Sequence, residues 1–248
     1  MIPLKLEEDI KFIEKSALIL TRVLSVVRNK AVAGISMLEL DSIAEQMIIK
    51  EAALPAFKGY RGYPATICAS LNEEIVHGIP DERVAKDGDI LSIDLGVNYS
   101  GYFTDAAITV AIGKITPKAK KLIDITKQAL AKGVQKASPG NHLGDISYTI
   151  QNFVEQHGFS VVREFVGHGI GKNLHEEPEI PNFGRLGTGP VLKAGMVLAI
   201  EPMVNVGIWQ SKLKANGWTA VTADGELSAH FEHTVLITEK GPRILTNG

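Results

Sequence analysis

The composition of the chain excludes several classes of protein. Its 248 residues are 45% hydrophobic and 22% charged, which allows a substantial folded core. A net charge of −2 gives no basic surface for nucleic acid and no polybasic membrane patch, so we expect neither partner. The single Cys68 excludes an internal disulfide, and we find no signal-peptide pattern and no apolar run near the ~18 residues of a membrane span. These features favour a cytoplasmic location of the protein.

The first elements are two helices. Apolar residues recur at helical spacing from Glu7 to Ala31. Ser36 and Glu39 then form a capping box that opens a second helix, which extends to about Ala53. The next elements are a loop from Pro55 to Pro64 and an apolar strand from Ala65 to Leu71.

The stretch from Ile90 to Ile112 predicts a hairpin of two alternating strands. If Asn98 lies opposite Gly101 across the turn, Asp94 lies opposite Asp105. Like charges in directly opposed positions are destabilising, so something positive should lie between them. The rest of this face is small or polar, as the wall of a cavity would be, and a bound cation is therefore a candidate. The alternative is a solvated hairpin with two surface acids.

The second half predicts the same order of elements. These are a helix from Thr116 to Ala137, a shorter helix that runs to Gly158, and strands at Phe159 to Val166, Met196 to Val206 and Leu227 to Thr238. Residues repeat as well: HGI at His77 recurs at His168, and KDGDILSID, ending at Asp94, recurs as KAGMVLAIE, ending at Glu201. Asp94 and Glu201 are thus equivalent, and Glu232 takes the place of Asp105.

The repeat predicts a second pair of acids. Pairing Glu201 with Glu232 centres the connection on Asn216-Gly217, a strong hairpin turn signal. The two halves, roughly residues 5–113 and 116–240, argue for one domain over residues 1–248 with a pseudo-two-fold axis between the acidic strand pairs. The alternative, two separate small domains, lacks a linker between the halves.

Five side chains suggest a metal centre: Asp94, Asp105, Glu201, Glu232 and His168, the last in a Gly-flanked and flexible segment. Four carboxylates and a neutral imidazole suit two divalent cations, because the formal charges cancel. Oxygen ligands with one nitrogen favour Mn, Fe(II), Co or Zn over Mg. Such a centre can activate a bridging water as hydroxide and polarise a carbonyl, which is hydrolysis.

The sequence resembles the type I methionine aminopeptidases of the short bacterial kind. The matching motifs occur in order over essentially the whole chain: GYRGYPATICASLNEEIVHGIP, KDGDILSIDLG, GYFTD, FVGHGIGKNLHEEP, GMVLAIEPM and FEHTVLIT. The resemblance implies an α+β pita-bread fold, with two related αβ halves around a dinuclear metal centre whose five ligand positions are all filled here. It also implies removal of the initiator methionine from nascent polypeptides when the second residue is small. We further expect encounter with these N-termini at the ribosome and a monomeric protein.

The resemblance also implies residue roles. Glu201 would shuttle the proton of the metal-bridging hydroxide, while His77 and His175 would lie near the scissile peptide. The substrate-binding residues would be Phe57, Tyr60, Tyr63, Cys68, His77, His175 and Trp218. The sequence departs from close relatives at Phe57, where Cys is common, and at Leu174, where an aromatic residue is common. We expect the remaining histidines to be structural or exposed: His142, His157, His230 and His233.

Two other functions remain as alternatives. A proline-directed peptidase similar to aminopeptidase P or prolidase would carry an additional N-terminal domain, whereas the catalytic half here begins near residue 5. A pita-bread binding protein without catalysis would typically lack metal ligands, and none of the five positions is missing. A metal assay followed by cleavage of Met-Ala and X-Pro peptides distinguishes these alternatives.

Overall fold

The computed structural model describes residues 2–247, so the termini of the predicted 1–248 domain, Met1 and Gly248, lie outside the described residues. The α-helices are α1 (Glu7–Lys30), α2 (Met37–Lys50), α3 (Pro117–Lys136) and α4 (Leu143–Gln156), and a short 3₁₀ helix spans Tyr60–Gly62. The Ser36 and Thr116 side chains cap α2 and α3, each accepting a backbone N–H at 3.1 Å. The predicted helices are confirmed, and α2 ends slightly earlier than expected.

The strands are short apart from the two of the central hairpin. They are β1 (Leu54–Pro55), β2 (Ile67–Leu71), β3 (Glu74–Val76), β4 (Ile90–Tyr99), β5 (Tyr102–Ala111), β6 (Ser160–Val161), β7 (Val166–Gly169), β8 (Glu176–Pro181), β9 (Val197–Ile200), β10 (Met203–Asn205), β11 (Ser211–Leu213), β12 (Ala220–Thr222), β13 (Ser228–His230), β14 (His233–Thr238) and β15 (Gly241–Ile244).

These strands form two principal sheets. In the first, β4 pairs with β5 along its whole length and also with β1 and β2. The second has the order β15-β14-β9-β7-β8, and two smaller sheets have the orders β13-β10-β6 and β11-β12-β3. Helices α1 and α2 bury apolar residues against the first sheet, and α3 and α4 do so against the second. Each half therefore has its own helix-on-sheet core.

The two halves meet where β5 runs beside the start of β14. The Glu232 N–H donates to the Ala107 carbonyl at 2.9 Å. The Thr234 hydroxyl accepts from the Asp105 N–H at 3.0 Å and donates to the Asp105 carbonyl at 2.7 Å. These bonds bring an acid of the first half beside an acid of the second.

The register of the central hairpin differs from the prediction. Asp94 lies opposite Ala107, and Asp105 lies opposite Gly96, so the expected direct opposition of the two acids is wrong. The shift is two residues and therefore leaves both acids on the same face of the sheet. They are diagonal neighbours, still within reach of a shared ligand.

The cause of this shift is the turn. Tyr99 pairs with Tyr102, which leaves a loop of only Ser100 and Gly101. Their φ angles are 53° and 83°, and positive φ at both central residues is typical of a type I′ hairpin turn. The predicted turn lies one residue too early, because the Asn-Tyr-Ser-Gly segment offers two adjacent positions for the centre of a turn.

The register predicted for the second pair of acids is confirmed. Ile200 pairs with His233 and Met203 pairs with His230, as expected for a connection centred on Asn216-Gly217. The short strands β11 and β12 around that turn keep the same register. Glu201 and Glu232 therefore lie at facing positions between the paired segments.

The predicted strands of the second half are nevertheless interrupted. Phe159–Val166 gives β6 and the start of β7, Met196–Val206 gives β9 and β10, and Leu227–Thr238 gives β13 and β14. Glu201 and Glu232 each lie at one of these breaks. Pro202 has no backbone N–H to donate to a neighbouring strand, which explains the break between β9 and β10. Within residues 2–247, no helix combines the length and apolarity needed to cross a membrane.

Candidate metal centre and active site

A cavity of about 160 Å³ lies between the two halves. It is lined by every site residue predicted from the sequence and by two others: Phe57, Tyr60, Arg61, Tyr63, Cys68, His77, Asp94, Asp105, His168, Leu174, His175, Glu201, Trp218 and Glu232. The structure thus brings the predicted ligands, histidines and aromatic side chains together in one place.

The acids form the floor of this cavity. Asp105, His168 and Glu232 each offer a ligand atom within 4.8 Å of the others. Glu201 Oε1 lies 3.6 Å from His168 Nε2, and Asp94 lines the same wall. All five candidate ligands therefore surround one small volume.

The electrostatics of the floor are unfavourable without a cation. Burial raises the pKa of Asp94 to about 6, although neighbouring His230 opposes this shift. Burial and neighbouring acids raise the pKa values of Asp105 and Glu232 well above the ordinary range, and burial does the same to Glu201. Burial and mutual repulsion thus oppose the simultaneous ionisation of the four carboxyl groups. A divalent cation bound among them would stabilise their ionised forms.

Unpaired oxygen atoms test whether a metal fits here. Asp94 Oδ1, Asp105 Oδ1 and Glu232 Oε1 are buried and find no hydrogen-bond partner in the described part of the chain. Buried polar atoms without partners are costly, so their concentration in one cavity indicates a missing ligand. Carboxylate oxygens with an imidazole are a donor set for Mn, Fe, Co or Zn, and the residues therefore fit divalent metal.

His168 is prepared as a neutral ligand. Burial lowers its pKa to about 3. Its Nδ1 lies 2.9 Å from the Gly169 carbonyl oxygen, which places the ring proton on Nδ1 and leaves the Nε2 lone pair directed at Glu201.

The segment around His168 is not the flexible one predicted from its glycines. It forms strand β7, and a Cβ at Gly167 would lie 2.4 Å from the Ala199 carbonyl oxygen. A Cβ at Gly169 would lie 2.1 Å from the Glu177 carbonyl oxygen. The glycines allow neighbouring strands to approach closely, and they fix the imidazole in place.

His77 occupies a conformation that few non-glycine residues adopt. Its φ is 58°. Its ring packs edge-on against the rings of Phe165 and Trp218, with ring centres 5.5 Å and 6.4 Å away. Burial, with contributions from His230 and His175, lowers its pKa to about 4. His77 is therefore neutral at physiological pH, and a strained backbone at a cavity wall is typical of functional positions.

His175 lies at the exposed rim of the cavity. Its Nδ1 is 3.0 Å from the Tyr60 hydroxyl, and its ring centre is 4.2 Å from that of His168. Partial burial and the nearby Arg61 lower its pKa. This neutral imidazole can reach a molecule bound over the floor.

The loop that carries His175 is held by a buried ion pair. Lys5 Nζ pairs with Glu176, and the two side chains are only 4% and 7% exposed. Glu176 Oε1 also accepts the N–H groups of Lys172 at 2.7 Å and Asn173 at 3.0 Å. The N-terminal segment thereby fixes the position of a histidine that lies far away in sequence.

Aromatic side chains form the other end of the cavity. Trp218 packs edge-on against Tyr63 at 5.1 Å, and Phe57 packs where a Cβ at Gly96 would lie 2.6 Å from its ring. Cys68 is 4% exposed, and burial raises its pKa, so its thiol is protonated and adds a soft apolar surface.

His230 was not predicted as a site residue. Its buried Nε2 lies 3.4 Å from Glu201 Oε2, and it belongs to a second potential metal-binding group with Glu201 and Glu232. Burial lowers its pKa. Its position in the sequence gave no signal of this, because Glu232 lies at the break between β13 and β14 and the contact with Glu201 is made across strands. The other three histidines lie elsewhere: His142 and His157 at the ends of α4, and His233 against Thr246.

Comparison with known proteins identifies the family. The sequence profile of metallopeptidase family M24 matches residues 11–239. The chain is 54% identical over 246 residues to a methionine aminopeptidase of Clostridium perfringens, with 99% of each chain covered. The chain belongs to metallopeptidase family M24. Membership of this family implies divalent metal ions.

Comparison with solved structures confirms the fold. A methionine aminopeptidase from Thermotoga maritima matches with a TM-score of 0.99 and 46% identity over 100% of both chains. A prolidase from Pyrococcus furiosus matches with a TM-score of 0.82 and 25% identity, covering 99% of this chain and 65% of that one. The α+β pita-bread fold expected from the sequence is confirmed.

Proposed function

We propose that this M24 chain is an aminopeptidase that removes N-terminal methionine from polypeptides whose second residue is small. The observation that carries the proposal is the cavity, in which a metal-binding floor and an aromatic, sulfur-containing wall face each other within about 160 Å³. A hydrolytic centre beside a pocket suited to a thioether side chain matches the chemistry of an N-terminal methionine.

We assign the metal centre to Asp94, Asp105, His168, Glu201 and Glu232. Two divalent cations, of Co, Mn, Fe(II) or Zn, would balance the charge of the four acids. When bound, they supply Lewis-acid polarisation of the scissile carbonyl and a water activated for attack. The same ligands serve several ions, so availability in the cell decides which are bound.

Glu201 is the group that moves the proton. Its carboxylate lies between the rings of His168 and His230. In its ionised form this carboxylate can take a proton from the attacking water and return it to the leaving amine.

The two rim histidines orient the peptide. His77 and His175 are neutral, since burial lowers both pKa values, and each can donate one ring N–H. Donors directed at the scissile peptide stabilise the negative charge that develops on its oxygen.

The second residue of the substrate decides the rate. With the methionine side chain among Phe57, Tyr63 and Trp218, the next side chain points at the walls around His77 and His175, where room is limited. A large side chain there would displace the carbonyl, and a misplacement near 1 Å can cost about 100-fold in rate.

The test compares tripeptides on the metal-loaded protein. We expect high kcat/KM for Met-Ala-Ser and low kcat/KM for Met-Phe-Ser. Comparable values would contradict the limited space, and efficient cleavage of Leu-Ala-Ser would contradict the methionine pocket. Preference for an X-Pro peptide would favour the prolidase alternative, while metal binding without any cleavage would favour a binding protein.

We further propose that the halves, roughly residues 5–113 and 116–240, form one catalytic domain. Isolated β-bridges at equivalent places, Ser36 with Val84 and His142 with Val191, support this organisation. Polypeptide N-termini are the partner. Encounter at the ribosome, a monomeric state and a cytoplasmic location stay predictions, which ribosome pelleting, ultracentrifugation and cell fractionation would check.

A further inference from the structure

His230 is a buried imidazole to which the mechanism above gives no role of its own. The residue is 1% exposed, and its Nε2 finds no hydrogen-bond partner within residues 2–247. A buried nitrogen without a partner destabilises the fold unless something outside the protein satisfies it. Glu201 Oε2 lies 3.4 Å from this Nε2.

The Thr109 hydroxyl holds the backbone of His230 through two hydrogen bonds. Its N–H donates to the Thr109 hydroxyl at 2.8 Å, and its carbonyl accepts from the same hydroxyl at 2.9 Å. Ser92 Oγ lies 2.8 Å from that oxygen and fixes it in turn. The backbone position of His230 is therefore fixed by the first half of the molecule.

The geometry of the surrounding ligand atoms suits a metal ion. Glu201, His230 and Glu232 each offer an atom within 4.8 Å of the others. Two ligand atoms that are each about 2.1 Å from a tetrahedral zinc lie about 3.4 Å apart. The other oxygen of Glu201 faces His168 Nε2 at 3.6 Å, so two imidazoles flank one carboxylate.

We propose that His230 is an additional imidazole ligand on the Glu201–Glu232 edge of the metal centre. The centre then has two nitrogen donors instead of one. This inference rests on the metal centre proposed above. Imidazole favours zinc, iron and cobalt, whereas an all-carboxylate edge favours manganese, so His230 shifts the preference of the site toward the first group.

The first test counts nitrogen ligands in the unmodified chain. The protein is labelled with nitrogen-15 in its histidines and loaded with an NMR-active cadmium isotope, and histidine nitrogen signals split by coupling to cadmium are counted. We expect two split Nε2 signals, from His168 and His230. A single split signal overturns the proposal, and this count depends on no variant.

Variants assign the signals and measure the effect. His230→Gln should remove one split signal and weaken zinc binding about 10-fold or more, with a smaller change for manganese. Equal zinc affinity in this variant would contradict the ligand role. The matched control is His233→Gln, whose ring lies 3.0 Å from the Thr246 hydroxyl and which should leave zinc affinity unchanged.

His168→Gln separates this inference from the proposed function. Loss of the His168 signal in that variant shows that His168 binds the metal, which supports the metal centre itself. If His168 shows no coupling to cadmium in any sample, the metal centre and the inference both fail. If His168 is coupled and His230 is not, only the inference fails.

Discussion

His175 is a residue whose role can be separated from metal binding, because it lies at the rim and not on the floor. We expect His175→Ala to lower kcat by roughly 10²- to 10⁴-fold, the range of one acid–base or oxyanion group, with metal content unchanged. Steady-state kinetics and metal analysis of the purified variant measure both.

The matched control for this variant is His157→Ala. That ring lies at the end of α4 and contacts the Phe153 carbonyl oxygen at 2.7 Å, away from the cavity. It should keep normal kcat. Loss of metal from His175→Ala would show that His175 is a ligand and that the proposed roles are wrong.

Single residues also show what the sequence could predict. The five proposed ligands could be located because the motifs repeat between the halves and fix their order. His230 could not be separated from an ordinary buried histidine, because its significance depends on a distance to Glu201 across two strands. The predicted pairing of Asp94 with Asp105 was wrong for a local reason, because the sequence offers two adjacent positions for the centre of the hairpin turn.

At the scale of elements, close backbone contacts position the histidines. A Cβ at Gly169 would lie 2.1 Å from the Glu177 carbonyl oxygen, and one at Gly78 would lie 2.4 Å from the Ala69 carbonyl oxygen. Both obstacles are backbone atoms, which cannot rotate away. Adding a methyl group must separate the paired segments, at a cost of about 1–3 kcal/mol of unfolding free energy.

The two substitutions should differ in their effect on function. Gly169→Ala displaces the strand that carries His168, so we expect weaker metal binding measured by titration calorimetry. Gly78→Ala displaces His77, so we expect lower kcat with nearly normal metal affinity. Equal metal affinity in Gly169→Ala and the wild type would contradict the view that strand packing fixes the ligand.

Element boundaries were predictable where the signal is local. Ser36 and Thr116 mark helix starts because their hydroxyls cap backbone N–H groups. The breaks at Glu201 and Glu232 were not predicted, since their apolar flanks read as continuous strands. Leaving the ladder at these positions frees both carboxylates to face the cavity, which is a requirement of the site and not of the local sequence.

For the whole molecule, the four buried acids predict how pH changes the stability of chelator-treated protein. Their folded-state pKa values are raised, to about 6 for Asp94 and well above the ordinary range for the others, so this contribution to stability is lost as pH rises through the folded-state values. His168 and His77 have lowered pKa values of about 3 and 4, so their contribution is lost only as pH falls below ~6.5, the unfolded pKa of histidine.

Above pH ~6.5 the two histidines therefore no longer contribute to the pH dependence of the unfolding free energy. We expect the unfolding free energy of the chelator-treated protein, measured in urea at several pH values, to fall between neutral and alkaline pH. Added manganese should reduce that fall, because bound cations favour ionised ligands. Identical slopes with and without metal would show that the acids are not held together at the floor.

The assembly of the halves was only partly predictable. The repeat indicated a pseudo-two-fold arrangement with acids near its axis. Which strands border each other across the axis follows from bonds such as Thr234 to Asp105, between residues on opposite halves of the chain. Such pairings depend on packing of the complete sheets and leave no local pattern.

The ion pair between Lys5 and Glu176 has a consequence for biosynthesis. Ribosomes make the chain from its N-terminus, so Lys5 emerges long before the residue it must bind. Asp105 is likewise made long before Thr234, its hydrogen-bond partner near the C-terminal end of the chain. A chain that ends before His168 carries two of the proposed acidic ligands and neither proposed histidine ligand, so the complete ligand set requires nearly the whole chain. Deleting the first few residues would remove Lys5 and disturb the loop that carries His175, which is made much later.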